Sequence, residues 1–284
     1  MKLPISVIVL TYNEEAKIEE CLRSVADFIE DIFIVDSFST DNTLLIAKKY
    51  TEKIYTHTFE DYSKQRNWAL KNLPIQTEWV FNLDADIRVD ESLKTELINE
   101  FSSNQANKYN GYLITRKTIF MGKWIKHGGC YPVYHAVLFK KAHGMCEEAR
   151  YNQHFVVEGK TKILKGCLID VVSDNLSNYI IRHNRWTSID ALDQFLEEDQ
   201  ISRNIGVKQK LFGNPMERRR YFRRLYLKLP LLIKPFIYFL YRYFLRLGFL
   251  DGKEGLIFHT LHAFWCQFVI DAKIYEIEMQ NKSK

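Results

Sequence analysis

The sequence predicts an α/β protein, with a doubly wound and largely parallel sheet followed by a helical extension that is both basic and apolar. Apolar strand patterns alternate with helical patterns four times within the first hundred residues. Polar residues follow the strand patterns, and ligands of doubly wound sheets bind at the carboxyl ends of the strands. We therefore expect a binding site there. After about residue 191 the composition changes, first to an acidic helical stretch over 191–199 and then, from about residue 206, to a mixture of cations and large apolar residues.

The elements follow one another in a regular order. The apolar, β-branched run 5–10 predicts a buried parallel strand. Apolar residues at helical spacing within 15–28 predict a helix, and a second strand is expected over 32–35. The remaining predictions are a helix over 44–50, a short strand over 53–55, a helix over 62–70 and a strand that ends near 84.

Two carboxylates mark the end of that last strand. Asp84 and Asp86 are one residue apart, and side chains at i and i+2 of a strand lie on the same face. Hard divalent cations such as Mg²⁺ and Mn²⁺ prefer oxygen ligands and leave positions for a substrate diphosphate. The pair therefore suggests a metal and phosphate site, although Asp-x-Asp also occurs on solvated turns.

Four sequence motifs occur in this chain in the same order as in a known protein family. They are Val-Ile-Val-Leu-Thr-Tyr-Asn-Glu at 7–14, Ile-Val-Asp-Ser-Phe-Ser-Thr-Asp-Asn-Thr at 34–43, Gln-Arg-Asn-Trp-Ala-Leu at 65–70 and Trp-Val-Phe-Asn-Leu-Asp-Ala-Asp at 79–86. Together they resemble the family 2 glycosyltransferases. More loosely, the rest resembles bacterial enzymes that extend lipopolysaccharide core or other surface polysaccharides. The resemblance implies a GT-A (Rossmann-like) fold and a nucleotide-sugar donor, most often a UDP-sugar.

The resemblance also assigns roles to residues. It implies nucleoside contacts for Thr11, Asn13 and Glu14, a base or ribose contact for Asp36, and a position facing the nucleotide for Lys64 and Arg66. It implies that Asp84 contacts the ribose or a metal-bound water, and that Asp86 is the direct ligand of Mg²⁺ or Mn²⁺. Taken singly, Asp36 is also a plausible turn former and Glu14 a first-turn helix acid.

The family's chemistry is inverting, so the acceptor hydroxyl needs a general base, usually Asp or Glu. Related enzymes often carry His-Glu where our alignment places Asn152 and Gln153, and a glutamine side chain cannot accept the proton. Either the base has therefore moved to a neighbouring carboxylate, or the alignment slips by a few residues. Glu158 precedes a glycine in a predicted hairpin, and Asp170 ends an apolar run. Further candidates are Glu148 and His154.

The segment 121–132 is rich in aromatic residues, glycines and cations. Trp124 and Tyr131 are candidates for stacking on a sugar ring, with core packing as the alternative. His127 and the two glycines after it suggest a close backbone approach to the donor. Further along, Arg182, His183 and Arg185 are candidates for binding an anion, or are a solvated helix face.

We predict a catalytic domain over 1–190, with a nucleotide-binding half (1–100) and an acceptor half (101–190), and a helical extension over 191–284. Between Gly206 and Phe249 the sequence has eleven Lys or Arg and one acid, Glu217, interleaved with apolar residues. No uncharged run there approaches the roughly 20 residues that cross a bilayer. This pattern suggests helices lying on an anionic membrane, or a basic helical hairpin packed on the catalytic domain. No nucleic-acid recognition motif accompanies the charge.

Composition narrows the function further. The five cysteines are widely spaced and without a Cys-x-x-Cys pair, which argues against a disulfide framework and a zinc site. The short apolar start is interpreted as a strand and not a signal peptide. We expect a glycosyltransferase at the cytosolic face of the inner membrane that acts on a glycolipid or oligosaccharide acceptor. The alternatives are a polyprenyl-phosphate glycosyltransferase and a catalytically silent module that binds nucleotide sugar.

Overall fold

The computed structural model describes residues 2–148, 153–172, 175–199 and 206–282. The strands are β1 (Leu3–Thr11), β2 (Ile29–Asp36), β3 (Ile54–Thr56), β4 (Trp79–Asp84), β5 (Ile87–Val89), β6 (Gly111–Phe120), β7 (Lys123–Ile125), β8 (Tyr134–Lys140), β9 (Gly144–Cys146), β10 (Phe155–Val157) and β11 (Thr161–Val171). The helices are α1 (Ile18–Arg23), α2 (Thr43–Ala47), α3 (Tyr62–Asn72), α4 (Glu91–Ser102), α5 (Leu176–Asp199), α6 (Pro215–Leu227), α7 (Lys234–Leu240), α8 (Gly252–His259) and α9 (Cys266–Lys282). Wider π-helical turns follow α7 over Tyr241–Leu245 and α8 over Thr260–Trp265.

A mixed nine-stranded sheet has the order β3-β2-β1-β4-β8-β6-β11-β5, with β7 paired to β6. The first four of these strands are parallel, and β8, β6 and the later strands run antiparallel to their neighbours where pairing is described. Most of β1, β2 and β4 is fully buried, as expected for parallel strands covered on both faces. The predicted α/β class is confirmed.

The predicted elements all occur, with shifted ends. The first helix is shorter than the predicted range 15–28. Regular α-helical structure covers Ile18–Arg23, and mainly turns occupy the rest of that range. The helix predicted over 62–70 runs through Tyr62–Asn72, and the side chain of Asp61 caps it by accepting from the backbone N–H of Lys64 at 2.8 Å.

The chain forms two compact units that do not match the predicted boundary at residue 190. Among the described residues, the first unit contains 2–116, 134–148 and 153–170, and the second contains 117–133 and those from 171 onward. The difference has a physical cause. Helix α5 begins at Leu176, and its residue Ala191 packs in one buried cluster with Ile270 and Ile274 of α9, so α5 belongs with the C-terminal helices.

The second unit has its own core and confirms the predicted C-terminal helical extension. A buried cluster joins Phe120, Ile125, Cys130, Tyr179 and Phe258. Within the parts of the chain that are described, no helix combines the length and the apolar character needed to cross a membrane.

Candidate active site

Strand register places the predicted polar residues at one edge of the sheet. Thr11 lies opposite Asp36 across the β1–β2 pair, and Leu10 lies opposite Asp84 across the β1–β4 pair. Thr11, Asp36 and Asp84 are therefore neighbours at the carboxyl ends of three adjacent parallel strands. The Thr11 hydroxyl oxygen is buried and has no hydrogen-bond partner among the described residues.

The loops after β1 and β2 are tied together by hydrogen bonds. The backbone N–H of Asn13 donates to Ser39 Oγ at 2.9 Å, and that of Thr40 donates to Asn13 Oδ1 at 2.8 Å. The N–H of Glu14 donates to Thr43 Oγ1 at 2.8 Å. Asp36 is fully buried and accepts from the backbone N–H and the hydroxyl of Ser39. The polar residues therefore build a fixed rim around this edge.

Arg66 is a buried residue whose hydrogen bonds connect the strand ends of the site. It is fully buried on α3, where its Nη1 donates to Ile8 O at 3.1 Å and its Nη2 donates to Leu83 O at 2.7 Å and Asp84 Oδ1 at 2.6 Å. Its Nε donates to the Tyr62 hydroxyl at 3.1 Å. These bonds show that Arg66 positions Asp84 and the strand ends, whereas the resemblance implied a position facing the nucleotide.

Asp84 is held in its charged form. Burial would raise its pKa, but the positive charges of Arg66 and Arg116 and the hydrogen bonds from Arg66 and Tyr62 outweigh burial. The pKa of Asp84 therefore lies below its usual range. Because Asp84 Oδ1 already accepts from Arg66 and Tyr62, its second oxygen is the atom better placed to meet a ligand.

Asp86 lies in the opposite electrostatic situation. Burial, followed by the negative charges of Asp170, Asp84 and Glu14, raises its pKa to about 7, and Arg116 acts in the other direction. Asp170 belongs to this cluster because it lies opposite Ile87 across the β11–β5 pair, and Arg116 Nη1 donates to its Oδ2 at 3.4 Å. Several carboxylates thus crowd the end of β4 and favour the approach of a cation.

This donor set fits a divalent metal in part. In the described residues no three His, Cys, Asp or Glu side chains are already arranged to hold a metal ion. Asp86 and Asp84 offer carboxylate oxygens, and a cation would relieve the repulsion among the carboxylates that adds to burial in raising the pKa of Asp86. Such a site needs further oxygens, and a substrate diphosphate can supply them.

The structure does not bring Glu158 to this edge. Its backbone N–H donates to His143 O, and its carbonyl accepts from the Asn110 side chain, which precedes β6. Register places the start of β6 beside the start of β4, at the edge opposite Asp84, through Gly111 with Phe139 and Trp79 with Lys140. Glu158 is also exposed. Of the two candidate bases, the structure groups only Asp170 with Asp86.

Three other candidates also have different surroundings from those expected. Lys64 is exposed and its ammonium group contacts Glu60 at 2.6 Å. Glu148 lines a cavity of about 400 Å³ beside α3, together with His57 and Trp68. His154 hydrogen-bonds Glu147 through Nδ1 at 3.1 Å. Asn152 of the aligned base segment lies outside the described residues.

In the second unit, the segment 127–130 is shaped by neighbouring side chains. His127 contacts the buried Asp251 through Nδ1 at 2.6 Å, and Arg242 Nε donates to Gly128 O at 2.6 Å. A Cβ at Gly128 would lie 2.1 Å from the ring of His259, so close packing explains this glycine. These contacts account for Gly128 without an approach to the donor.

The other candidates of the second unit also make internal contacts. Trp124 and Tyr131 meet edge to face at 5.2 Å between ring centroids. His183 is buried and stacked on Tyr179 at 3.7 Å, which removes it from the expected anion site. The guanidinium of Arg182 lies over Trp186 at 5.1 Å.

Sequence reasoning missed several residues of the site. Arg116 interrupts the apolar run of β6, and that signal was available. Tyr62 precedes Arg66 by one helical turn on α3. Tyr12 and Phe38 flank the tied loops with 58% of each side chain exposed, and Phe38 has a positive φ of 64°. Exposed aromatic rings in a nucleotide motif signal stacking surfaces.

Comparison with known proteins decides the family. Residues 6–153, more than half of the chain, match the Glycosyl transferase family 2. The chain belongs to glycosyltransferase family 2. It is therefore a glycosyltransferase, as the ordered motifs predicted.

Relatives share nearly its full length. The uncharacterized glycosyltransferase RT0209 of Rickettsia typhi is 25% identical over 98% of this chain and 89% of its own. The lipopolysaccharide core biosynthesis glycosyltransferase LpsC of Rhizobium meliloti is 26% identical over 97% of this chain and 93% of its own. Among solved structures, TarS 1–349 of S. aureus in complex with UDP is 20% identical, with a TM-score of 0.48 over 99% of this chain and 92% of that chain.

Proposed function

We propose that this family 2 glycosyltransferase transfers a sugar from a nucleotide sugar, a UDP-sugar by preference, to a glycolipid or polysaccharide acceptor of the bacterial cell envelope. The observation that carries the proposal is the carboxylate cluster at the end of β4, where the pKa of Asp86 is raised to about 7 beside Asp170, Asp84 and Glu14. A cluster of that charge at the edge of a nucleotide-binding sheet suits a metal-bound diphosphate.

The rim around the cluster suits a nucleoside. Thr11 offers a buried hydroxyl with no partner in the described chain, and Asp36 a carboxylate at the same edge. Tyr12 and Phe38 offer exposed rings beside the tied loops, on which a base can stack. We assign Asn13 and Glu14 to the same rim, because their backbone groups are fixed by Ser39 and Thr43.

Asp86, with the second oxygen of Asp84, would hold Mg²⁺ or Mn²⁺. When bound, that cation neutralises charge that develops on the leaving diphosphate. Arg66 contributes by holding Asp84 ionised and fixed from below. Preorganised groups of this kind cost little reorganisation during the reaction.

We assign the general base to Asp170. Its side chain is 18% exposed, it ends β11 at the edge that holds Asp86, and Arg116 contacts it at 3.4 Å. In an inverting single displacement the acceptor hydroxyl attacks the anomeric carbon, its proton passes to the carboxylate, and the nucleoside diphosphate leaves from the opposite face. A fixed, mostly buried carboxylate suits that proton transfer.

The proposed acceptor and place of action follow from relatives and from charge. LpsC acts, by its name, in lipopolysaccharide core biosynthesis. The segment 206–249 carries eleven cations against one acid, which favours an anionic membrane surface. We therefore place the reaction at the cytosolic face of the inner membrane, with no role for nucleic acid. A polyprenyl phosphate is the alternative acceptor, since the same surface would admit it.

The test is release of nucleoside diphosphate from a panel of nucleotide sugars, with Mn²⁺, with chelator, and with membrane lipid extract. Asp86→Asn is the site variant and Glu158→Gln the matched control, because Glu158 is an exposed carboxylate at the opposite edge of the sheet. We expect release from one donor, stimulated by lipid extract, and lost with chelator and in Asp86→Asn alone.

Other outcomes separate the alternatives. A short, organic-soluble lipid product would identify a polyprenyl-phosphate glycosyltransferase. Binding of a nucleotide sugar without turnover, with or without lipid extract, would make the protein a silent binder and would overturn the proposal. Turnover that persists both with the chelator and in Asp86→Asn would show that the proposed role of the metal is wrong.

A further inference from the structure

Helix α7 and the π-helical turn after it expose their apolar face and bury their cations, the reverse of an ordinary surface helix. Seven large residues at helical spacing face outward with 44–76% of their surface exposed, and we call them the outer stripe: Ile233, Phe236, Ile237, Leu240, Tyr241, Phe244 and Leu245. A surface helix of a water-soluble unit normally turns such a stripe toward the core. Exposed apolar patches of this size mark interaction sites.

The two cations of the same segment face inward. Lys234 is 3% exposed, and its Nζ contacts the fully buried Asp271 at 3.0 Å. Arg242 is 6% exposed, and it donates to Gly128 O at 2.6 Å and Cys130 Sγ at 2.7 Å. These bonds fix the rotation of the helix, so the outer stripe cannot turn inward without breaking a buried ion pair and leaving charges unpaired.

The inward cations also show that not all eleven cations of the segment 206–249 are available to a binding partner. Lys234 and Arg242 are used inside the fold, and Arg223 contacts Asp190 at 3.2 Å, so these three of the eleven cations are engaged with protein groups. Lys228 and Arg246 stay exposed, and in the sequence they precede and follow the outer stripe. Charge therefore borders this surface, and its centre is apolar.

We infer that the outer stripe docks in the interface of an anionic lipid bilayer, with α7 lying in the membrane plane and Lys228 and Arg246 at the lipid headgroups. Long cationic side chains beside an apolar helix face suit this arrangement, because the stems bury and the charges reach phosphates. The apolar surface continues through Leu247, Phe249 and Leu250, which are also exposed.

Charge favours the bilayer over a second copy of this chain. Between Lys228 and Leu250 the sequence contains no Asp or Glu. A two-fold contact places the same patch against itself. Such a contact would therefore bring the flanking cations together with no carboxylate from this segment. A surface of anionic lipid supplies the missing negative charge.

This inference deepens the proposed function, on which it rests for the glycolipid acceptor, but its test requires no turnover. All five native cysteines are buried, so an introduced exposed cysteine can be labelled selectively. We would label Leu245→Cys with an environment-sensitive fluorophore. The matched control is Ile181→Cys on α5, because Leu245 is 76% and Ile181 69% exposed.

With vesicles of phosphatidylethanolamine and phosphatidylglycerol, the probe at position 245 should shift to the blue and brighten, and the probe at 181 should not. Vesicles of phosphatidylcholine alone should give a smaller shift, and added salt should reduce binding. In vesicle flotation, Leu240→Glu should lower partitioning into the vesicles roughly tenfold or more. The variant loses a leucine that the membrane would bury and adds a negative charge at an anionic surface. Ile181→Glu should float as the unsubstituted protein does.

Three results would overturn the inference. The first is a pair of probes that respond equally, and the second is flotation unchanged by Leu240→Glu in a variant that melts normally. The third is a dimer in analytical ultracentrifugation that Leu240→Glu dissociates, without vesicle binding, which would make the outer stripe a contact between copies. Donor binding measured in parallel separates this inference from the proposed function, because either can fail while the other holds.

Discussion

At the scale of single residues, Arg66 offers the sharpest test of how the site is held. We expect Arg66→Met to lower the free energy of unfolding by about 3 kcal/mol, because a buried charge network loses one partner and Asp84 keeps its charge. The measurement is urea denaturation. The matched control is Lys64→Met on the same helix, whose side chain is 62% exposed and which should change little. Equal losses in both variants would contradict the role of Arg66.

Asp170 can be separated from a metal ligand by kinetics. We expect Asp170→Asn to lower kcat by about 10²-fold to 10⁴-fold with little change in Mn²⁺-dependent donor binding, because removal of a general base affects the proton transfer alone. Donor binding is measured by calorimetry and turnover by release of nucleoside diphosphate. Loss of binding together with turnover would assign Asp170 to the metal. Full activity would send the search for the base elsewhere.

The site was predictable where strand order decides it. Motifs at the ends of three strands placed Thr11, Asp36 and Asp84 at one edge, and the register agrees. The resemblance implied that Arg66 faces the nucleotide, whereas its burial depends on the carbonyls of Ile8 and Leu83. Partners so distant along the chain leave no local pattern in the sequence.

At the scale of elements, two glycines with similar φ angles form a natural comparison. Gly128 has φ of 65° and Gly122 has φ of 77°, a region that costs an L-residue about 1 kcal/mol or more. A Cβ at Gly122 meets nothing within 4 Å, whereas a Cβ at Gly128 meets the buried His259 at 2.1 Å.

We therefore expect Gly122→Ala to cost about 1 kcal/mol from backbone strain, and Gly128→Ala to cost about 3 kcal/mol or more, since overpacking adds to that strain. Thermal unfolding with both alanine variants measures the difference. Equal costs would mean that the loop relaxes away from His259. That result would remove close packing as the reason for this glycine.

Element type was easier to predict from the sequence than domain organisation. Periodicity located strands and helices because it reports each element's own burial. The boundary at 190 misplaced α5, because an acidic composition late in the helix suggested a new domain, whereas membership depends on packing against α9 far along the chain. For α7 the sequence left two alternatives, a helix on a membrane and a helix packed on the catalytic domain, since apolar spacing does not tell which way a helix faces.

At the scale of the whole molecule, burial of histidines sets the response to acid. His183 and His259 are buried, and burial lowers the pKa of each to about 4. Burial also lowers the pKa of His262, with Arg242 and His183 contributing in the same direction. All three belong to the second unit. Folding therefore requires three neutral imidazoles, whereas the unfolded chain protonates them near pH 6.5.

The second unit should consequently lose stability as pH falls from about 6.5 to about 4, because the unfolded state binds more protons throughout that window. Each histidine contributes a slope of up to about 1.4 kcal/mol per pH unit. Thermal unfolding from pH 8 to pH 4.5 measures the effect. His259→Gln should flatten the curve of stability against pH, because glutamine does not bind a proton in this range. The substitution breaks no hydrogen bond of the ring, since neither ring nitrogen of His259 has a partner among the described residues. His143→Gln, an exposed control, should leave the curve unchanged. A parallel offset in His259→Gln without a change of slope would mean that His259 titrates normally in the folded protein, and acid sensitivity would then have to come from other groups.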